Sequence, residues 1–515
     1  GVAIDTFSNV DGLSFVDPDG SGPLSGLTVN AAAGFAGINF DNIGGTLDLS
    51  SQAVSSVDTA SPTAFGIDLQ GAAGGETLVG NDDNNFFNGK TGADTLTGGG
   101  GNDVFLHTVG DGADAVDGGG QAVGGADVLL VAGQGGFTAN AQNVDETLNV
   151  QLDNTGQIIT QIDGSGSVTG IELTALDLGG GTDTLDYTGN SAGVTADLGA
   201  GTASGFTGVP GFFPAVQNVE NVTGGDGDDT LTGDAGANVI AGGGGADTLT
   251  GGGGNDTLYG GLPTGDSGID TAQFAGNASV YTITFDPFAA HDAAGPVATV
   301  SGPDGADQLH GIELLKFGDK TIDLTKGVLL YDASGHLIGT SDTIQGAVDA
   351  ATAGDTIKIT SGAYHENVTI ATAGLTLIGE PGAVIQGTLK TDNNIADGDV
   401  ASWLQTHPSY SGAAGDGITI TADNVTVQNI AIDGFLHGVR FLEGTSVSGT
   451  TLDNVNVTGS IIGVEKSTTA HVSNFTLTGG SFSDGYIGLD IAKSTALGDA
   501  AVGLFDQVTI DGTSF

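Results

Sequence analysis

GGDGDDTLTGDAGANVIAGGGGADTLTGGGGNDTLY, residues 224–259, is the stretch that decides the fold of this chain. It divides into nine-residue units with the plan G-G-x-G-x-D-x-(apolar)-x, which begin at Gly224, Gly233, Gly242 and Gly251. A second array with the same period, GAAGGETLV-GNDDNNFFN-GKTGADTLT-GGGGNDVFL, runs from Gly71 to Leu106. Two arrays in one register predict a repeated structural unit and argue against a disordered Gly/Asp-rich linker.

The spacing within one unit predicts a turn followed by a very short strand. Glycines at the first, second and fourth positions permit positive φ and close approach of the backbone, so the turn can be tight with its carbonyl groups directed inward. In the strand, one large apolar residue points into a shared interior while its neighbours point outward. Two units therefore complete one flattened coil, and each unit stacks on the next but one. The apolar residues are Leu78, Phe87, Leu96 and Phe105 in the first array and Leu231, Ile240, Leu249 and Leu258 in the second.

Stacking brings the sixth-position side chains of alternate units together. With turn carbonyls, each pair forms an all-oxygen cage for a cation with six to eight ligands, which favours calcium over magnesium or zinc. An asparagine keeps the oxygen but loses the charge, so we expect its sites to be weaker. The pairs are Asp229 with Asp247, Asn238 with Asp256, Glu76 with Asp94 and Asn85 with Asp103, and the turn glycines are Gly225, Gly227, Gly243, Gly245, Gly252 and Gly254.

The units of both arrays resemble the nonapeptide repeats of RTX proteins, also called hemolysin-type repeats. The resemblance implies a parallel β-roll with several calcium ions bound in its turns. Asn85, Asn238 and Glu76 depart from the aspartate that the repeat has at its sixth position.

The composition indicates that cations are needed for folding. The formal net charge is −53, from nine Lys plus Arg against 62 Asp plus Glu. Such an excess repels nucleic acid and anionic membranes, and its self-repulsion opposes a compact state. Cysteine is absent, so no disulfide or thiolate site is possible. The sequence has no run of 18 apolar residues, so no transmembrane segment is predicted. We expect export from a Gram-negative bacterium and folding in extracellular calcium.

The fold class predicted for the whole chain is all-β, with RTX β-roll arrays and flanking β modules followed by a right-handed parallel β-helix. We expect an amino-terminal β module at 1–70, the first array at 71–126, a β-rich connecting module at 127–222, the second array at 223–275, a β capping module at 276–326 and the β-helix at 327–515. The β-helix is expected to continue beyond these residues. DPDGSG at 17–22 is a candidate calcium loop, but a plain turn is preferred.

Residues from Tyr331 to Gly387 resemble the start of right-handed parallel β-helix proteins of the pectin-lyase-like class. There, a helix capped by Ser341 would place Ile344, Ala347, Val348 and Ala351 on one face and end before Gly354. Farther on, the pattern x-Asn-apolar-x-apolar recurs at Asn429, Asn454 and Asn474, with Gln507 in the same role. We expect stacked amides at this turn to satisfy buried polar groups.

The sequence signal for catalytic residues is less specific than the signal for calcium binding. The repeat places Arg440, Glu465 and Asp490 on one face of successive coils, where paired carboxylates beside an arginine can do acid–base work. An ion-pair ladder is the preferred interpretation, because no histidine or lysine falls in the same register. A loop at 391–415 carries Trp403 and Tyr410, which are weak candidates for a carbohydrate contact.

Two functions from different classes are compatible with these features. The first is a calcium-binding structural or adhesive protein of the bacterial surface or extracellular matrix, such as an RTX adhesin, an S-layer-like subunit or a filament subunit. Its partners would be calcium, further copies of the chain or surface polysaccharide. The second is a polysaccharide lyase or C5-epimerase with a β-helix catalytic module. We prefer the first, because the sequence shows no catalytic constellation.

Overall fold

The computed structural model describes residues 13–16, 38–43, 46–48, 67–120, 125–134, 137, 144–163, 166–261, 268–288, 297–388, 415–467, 469–483, 485, 487–491 and 505–515. These residues form two compact units. Unit 1 extends to Phe274 and also includes Pro303–Ile312, and unit 2 contains the other described residues from Ala275 onward. The predicted loop at 17–22 lies outside the described residues.

Unit 1 is built mainly from parallel strands that alternate between sheets. Antiparallel pairs join Ile159–Ile162 to Thr147–Leu152 and to Gly166–Thr169, and Thr195–Asp197 to Thr202–Ala203. The first sheet contains, in spatial order, Leu13–Val16, Ile38–Ile43, Ile67–Gly71, Asn85–Asn88, Val104–Thr108, Val128–Ala132, Leu173–Asp177 and Val216–Gln217. The second contains Thr46–Asp48, Thr77–Val79, Thr95–Gly100, Ala115–Gly120, Gly166–Thr169, Ile159–Ile162, Thr147–Leu152, Thr184–Asp186, Asn221–Thr223, Val239–Gly243, Thr257–Gly261 and Gly305–His310. The third contains Thr202–Ala203, Thr195–Asp197, Thr230–Thr232, Thr248–Thr250 and Thr271–Gln273.

The register of these strands follows the period of the repeats. Leu78 lies beside Leu96, Phe87 beside Phe105, Leu231 beside Leu249 and Ile240 beside Leu258 in parallel pairs. Each of these eight side chains is buried, at 0–1% exposure. The Phe87 and Phe105 rings stack with centroids 4.7 Å apart. The predicted all-β fold with parallel β-roll coils is confirmed.

The amino-terminal part of unit 1 continues the same coil. Ile38–Ile43 pairs in parallel with Ile67–Gly71, which pairs with Asn85–Asn88 of the first array. The boundary expected near residue 70 therefore falls within one sheet. The predicted domain boundaries remain predictions.

Unit 2 contains a parallel β-helix with three sheets. One sheet has the order Leu337–Ser341, Val328–Tyr331, Thr356–Ile359, Thr376–Gly379, Thr426–Gln428, Thr451–Asp453, His471–Thr478 and Ser446–Ser448, with Phe505–Asp511 also beside His471–Thr478. The second has Gly362–Tyr364, Ala383–Gln386, Ala431–Asp433, Asn456–Thr458 and Ser481–Ser483. The third has Val368–Ile370, Asp416–Ile420, His437–Phe441, Ile462–Lys466 and Ile487–Ile491. The hairpins Thr282–Phe285 with Val297–Gly302 and Leu314–Lys316 with Thr321–Asp323 complete this unit.

The interior of this β-helix is mostly apolar, with the buried Lys466 as an exception. Buried aliphatic and aromatic side chains from Val328 to Phe482 form one continuous cluster. The short helix Ile344–Ala350 contributes Ile344, Ala347 and Val348 to it. Handedness and the resemblance to pectin-lyase-like proteins remain predictions.

The helix cap differs from the prediction. Thr343, not Ser341, is the N-cap residue, and its hydroxyl accepts the Gly346 N–H at 3.0 Å. The Ser341 hydroxyl, three residues before the helix begins, instead accepts the Thr343 N–H at 3.1 Å. The Glu366 carboxylate accepts the N–H groups of the first two helical residues at 2.8 Å. A carboxylate at this end complements the partial positive charge of the helix.

The asparagine pattern forms two columns rather than one. Asn429 and Asn454 stack, with the Asn454 amide donating to the Asn429 Oδ1 at 2.9 Å. Asn474 lies in a different column, above Gly449, and Gln507 continues that column. All four residues adopt positive φ between 51° and 56° and are exposed. Their role is therefore to form left-handed turn positions, and the expectation that they satisfy buried polar groups was wrong.

Candidate metal centre

The sixth-position residues of both arrays form vertical ladders. In the second array, the Asp229 N–H donates to Asp247 Oδ1 at 2.8 Å and the Asn238 N–H donates to Asp256 Oδ1 at 2.8 Å. The matching bonds in the first array join the Glu76 N–H to Asp94 and the Asn85 N–H to Asp103, at 2.6 and 2.7 Å. Each bond spans 18 residues, which is two units of the repeat. The structure thus stacks the same pairs that the spacing predicts, while their role as ligands stays a prediction.

The second oxygen of several ladder carboxylates is buried and lacks a hydrogen bond from the described residues. This applies to Asp94 Oδ2, Asp103 Oδ2, Asp256 Oδ2 and Glu76 Oε2. A buried carboxylate oxygen without a donor is costly, and a bound cation would remove that cost. The atoms available here as metal ligands are all oxygens, as calcium requires. The residues present therefore fit the metal that the repeat implies.

The first glycine of each unit lies against the carboxylate of the same unit. A Cβ atom on Gly98 would overlap Asp103 Oδ2, and one on Gly251 would overlap Asp256 Oδ2. No other residue type leaves this space beside the carboxylate.

The turn glycines have the conformation that stacked carbonyl groups require. Gly243, Gly245, Gly252 and Gly254 adopt φ values of 110°, 110°, 103° and 117°. A Cβ atom on Gly243 would overlap the carbonyl oxygen of Gly225, which accepts the Gly244 N–H at 2.8 Å. In the same way, a Cβ atom on Gly245 would lie 2.7 Å from the carbonyl oxygen of Gly227. The predicted carbonyl ligands are thus ordered beneath the next coil, and their coordination remains a prediction.

The two asparagines of the ladders use their amides for hydrogen bonds. The Asn238 Nδ2 donates to the Glu220 carbonyl at 2.6 Å, and its Oδ1 accepts the Asp234 N–H at 2.9 Å. The Asn85 Nδ2 donates to Asn81 Oδ1 at 3.2 Å. These bonds occupy the groups that an aspartate would offer to a cation, which supports weaker sites at both positions.

The ladders continue beyond the arrays through residues that the strict nine-residue period does not identify. The N–H groups of Asp94, Asp103, Asp247 and Asp256 donate to Asp114, Asp127, Asp270 and Asp307 at 2.9, 2.7, 2.9 and 3.0 Å. The connecting region contains a hydrogen bond of the same kind, in which the Glu146 N–H donates to Asp183 Oδ1 at 2.8 Å. A shorter signal, Gly-x-Asp-x-apolar, would have found most of them, because it recurs at Gly112, Gly125, Gly181, Gly268 and Gly305.

Burial makes the ladder carboxylates hard to ionise when no cation is bound. It raises the pKa of Asp94 to about 7 and that of Asp103 to about 8. The neighbouring charges of Asp114 and Asp127 add to the effect, and the backbone N–H groups that donate to each carboxylate act in the opposite direction. Burial likewise raises the pKa of Asp229 to about 6.

We expect the metal-free protein to be more stable at pH 5 than at pH 8. A carboxyl group whose pKa is raised in the folded state binds its proton more tightly there than in the unfolded chain, so stability falls as pH rises from 3.8 to about 8. Urea unfolding in the presence of a chelator, followed by circular dichroism, measures this difference. In saturating calcium the trend should reverse, because protons then compete with the metal. A metal-free midpoint that rises with pH would contradict this account.

The candidate catalytic residues of unit 2 lie in one register. Arg440 pairs with Glu465 and Glu465 with Asp490 on adjacent parallel strands. Arg440 Nε lies 2.7 Å from Glu465 Oε2, so an ion pair links two coils. Trp403 and Tyr410 lie outside the described residues.

Two further residues join this cluster, and the sequence argument missed both. His437 precedes Arg440 by three positions, yet its Nε2 lies 3.2 Å from Glu465 Oε2 and its Nδ1 lies 2.6 Å from Asp416 Oδ1. Burial raises the pKa of Asp416, but the bond to His437 and the charges of His437 and Arg440 outweigh it and hold that pKa below its usual range. His437 lies outside the register of Arg440 and Glu465, since it pairs with Ile462, but its imidazole spans the distance to Glu465 on the adjacent coil.

Comparison with known proteins agrees with the geometry of the arrays. Residues 70–105 and 223–258 match the profile of the RTX calcium-binding nonapeptide repeat, in four copies. The two arrays are RTX calcium-binding repeats. No curated protein matches the chain. Among solved structures, the A-module of the Azotobacter vinelandii mannuronan C-5 epimerase AlgE6 is similar at 11% identity, with 93% of this chain and 90% of that chain covered and a TM-score of 0.18. Likeness at this TM-score supports no functional argument.

Among the described residues, no helix has the length and apolarity that crossing a membrane requires.

Proposed function

We propose that this chain is a secreted, calcium-binding structural or adhesive protein of a Gram-negative bacterial surface or extracellular matrix. The observation that supports it most is the continuity of the carboxylate ladders. In the first RTX array, one ladder runs from Glu76 through Asp94 to Asp114 and another from Asn85 through Asp103 and Asp127 to Glu172. In the second, one runs from Asp229 through Asp247 to Asp270 and another from Asn238 through Asp256 to Asp307. With buried carboxylates stacked beside its turns in this way, the protein would use calcium to become rigid.

The setting follows from the charge and the affinity range of such sites. With a net charge of −53, the chain repels itself until cations are bound. Extracellular calcium modules bind at about 0.1–1 mM, which exceeds free cytosolic calcium and matches external fluids. Calcium would therefore drive folding after export. The remaining partners are further copies of the chain, as in an S-layer or filament, or surface polysaccharide, as in an adhesin.

A calcium titration of the full chain tests this function. Light scattering and circular dichroism are recorded together, and polysaccharide binding is then measured in calcium. We expect the β signal to increase with calcium, as unit 1 folds, and this increase to be followed either by growth in particle size or by glycan binding of a monomer. A folded monomer that binds neither itself nor any surface polysaccharide would overturn the proposal.

A matched pair of variants shows whether the ladders cause the response. Asp247 is buried within a ladder, whereas Asp226 is exposed in the turn of the preceding coil. Asp247→Asn and Asp226→Asn change the net charge equally. Only Asp247→Asn is expected to shift the calcium midpoint upward, by tenfold or more, and equal shifts would assign the response to general charge screening.

A second candidate, an enzyme acting on a uronate polysaccharide, is favoured by the cluster of His437, Asp416, Glu465 and Arg440. An imidazole held between two carboxylates can accept a proton, and a half-buried arginine can pair with the carboxylate of a uronate. The exposed fractions are 9% for the His437 side chain and 29% for Arg440, so the arginine is the part that substrate would reach first.

Assays on uronate polymers separate this candidate from the first. Lyase activity appears as unsaturated ends that absorb in the ultraviolet, and epimerase activity as a changed uronate composition by NMR. We expect any turnover to be lost in His437→Gln and kept in Glu443→Gln. Glu443 is exposed and lies just after the strand that contains His437. Absence of turnover on all such polymers would leave the ion-pair ladder as the role of the cluster.

A further inference from the structure

His107 stands where the repeat has a glycine. The units of the first array begin with Gly71, Gly80, Gly89 and Gly98, and the next position in phase is His107. At Gly98 even a Cβ atom would overlap the ladder carboxylate Asp103. The imidazole is accommodated because the following turn is longer: Asp94 bonds to Asp114 across 20 residues, whereas Glu76 bonds to Asp94 across 18. The chain thus replaces a glycine with a histidine beside the ladder and lengthens the turn by two residues.

One ring nitrogen of His107 faces two carboxylates. Its Nδ1 lies 2.9 Å from Asp114 Oδ2 and 3.5 Å from Asp111 Oδ1. The side chains of His107, Asp111 and Asp114 are 1%, 8% and 1% exposed. Asp111 Oδ1 is buried and has no hydrogen-bond partner among the described residues. The three ligand atoms lie within 4.8 Å of one another, which is compatible with one shared ion.

The other ring nitrogen faces a third carboxylate. His107 Nε2 is buried without a hydrogen bond of normal geometry and lies 3.4 Å from Asp163 Oδ2. Asp163 is itself held by the Gly110 N–H, which donates to the same oxygen at 2.7 Å. Histidines that bind metals generally donate their second N–H to a carboxylate, which fixes the ring and its tautomer. The arrangement around His107 has this form.

We propose that His107, Asp111 and Asp114 bind a divalent transition-metal ion of the zinc type, with Asp163 as the positioning residue for the imidazole. An imidazole nitrogen with carboxylate oxygens suits zinc and its neighbours, whereas calcium takes oxygen ligands. The site is therefore distinct in chemistry from the RTX turns, although Asp114 also belongs to their ladder. Because His107 lies in the strand Val104–Thr108 and its partners lie in the next turn, the ion closes the carboxyl-terminal end of the first array.

A protonated histidine is the alternative occupant of the same cluster. Burial lowers the pKa of His107, but the neighbouring carboxylates of Asp114, Asp163 and Asp111 outweigh it and raise the pKa to about 9. An imidazolium can therefore neutralise the carboxylates without a metal. The test must separate these two occupants.

Zinc titration of the calcium-saturated full chain by calorimetry is the test. Excess calcium fills the RTX turns and keeps the protein folded. We expect one zinc site per chain and visible d–d absorption of four-coordinate character when Co2+ replaces zinc. Failure of zinc and Co2+ to bind would overturn the proposal and leave the imidazolium as the occupant.

Three variants assign the site to these residues. His107→Gln is expected to abolish zinc binding, and Asp163→Asn to weaken it by about 10- to 100-fold while altering the Co2+ spectrum. His336→Gln is the matched control, since His336 also lies 3.3 Å from an aspartate, Asp332, but the two side chains are 41% and 36% exposed. If His107→Gln does not fold in calcium, Asp163→Asn alone decides. Zinc affinity equal to that of the unchanged protein in Asp163→Asn would then overturn the proposal.

Discussion

Chelation of calcium at pH 8 is expected to unfold unit 1 while the β-helix of unit 2 stays folded. The ladder carboxylates of unit 1 are buried, and the charges of neighbours such as Asp94 and Asp114 repel each other. At free calcium 100 times the dissociation constant, each site contributes about 2.7 kcal/mol to stability. Loss of several such contributions exceeds the total stability of most domains, which is about 5–15 kcal/mol.

Unit 2 is expected to respond differently because its interior is mostly apolar. The cluster that includes Val328, Ile357, Val427 and Phe475 is almost completely buried and contains no ladder of carboxylates among the described residues. Burial of aliphatic side chains contributes about 1.5–3 kcal/mol each and does not depend on calcium. The two units are therefore expected to separate in their response to a chelator.

Limited proteolysis of the full chain, with fragments identified by mass spectrometry, measures this difference. With chelator, cleavage is expected throughout the RTX arrays, while a fragment beginning near Val328 persists. Restoring calcium should protect the arrays, and restoring magnesium should not, because magnesium keeps its water and demands octahedral geometry. Arrays that resist protease in chelator, or a β-helix that is lost with them, would contradict the assignment of calcium to unit 1.

The RTX coils could be predicted because one period determines several features at once. The glycine spacing determines where each turn lies, and the apolar eighth residue determines which face of the strand is buried. Together these two features determine which carboxylates stack. Asp229 and Asp247 could thus be paired from their spacing alone, and the structure joins them by a hydrogen bond. A strict alternation of turn and strand leaves few other registers that bury all the apolar residues.

The remaining site residues could not be predicted because they depend on departures from that period. Asp114 joins its ladder across a turn lengthened by two residues, and His437 reaches Glu465 on the next coil through the length of its imidazole. Likewise, Ser341 and Thr343 are both good capping residues, and the backbone conformation at Thr343 decides between them. Local composition does not encode such choices, since they depend on which neighbouring coil lies beside each side chain.

Substitution of a single glycine, Gly251→Ala, is expected to disable one calcium site and destabilise unit 1. The added Cβ would overlap Asp256 Oδ2 and lie 2.8 Å from the Asp256 Cγ and 3.0 Å from its Cβ. The ladder carboxylate must then move away from the turn. Overpacking of this kind costs about 1–3 kcal/mol, and loss of the bound ion adds to it.

Gly253→Ala, in the same unit of the repeat, is the matched control. Its Cβ would have Ala235 Cα as its nearest neighbour, at 3.6 Å, and neither glycine adopts a left-handed φ. Gly253→Ala is therefore expected to be neutral or to stabilise by about 0.4–1 kcal/mol, because alanine restricts the unfolded chain. Urea unfolding and calcium calorimetry on both variants measure the contrast. Since the two substitutions add the same methyl group two residues apart, equal effects would show that the space beside Asp256 is not part of a calcium site.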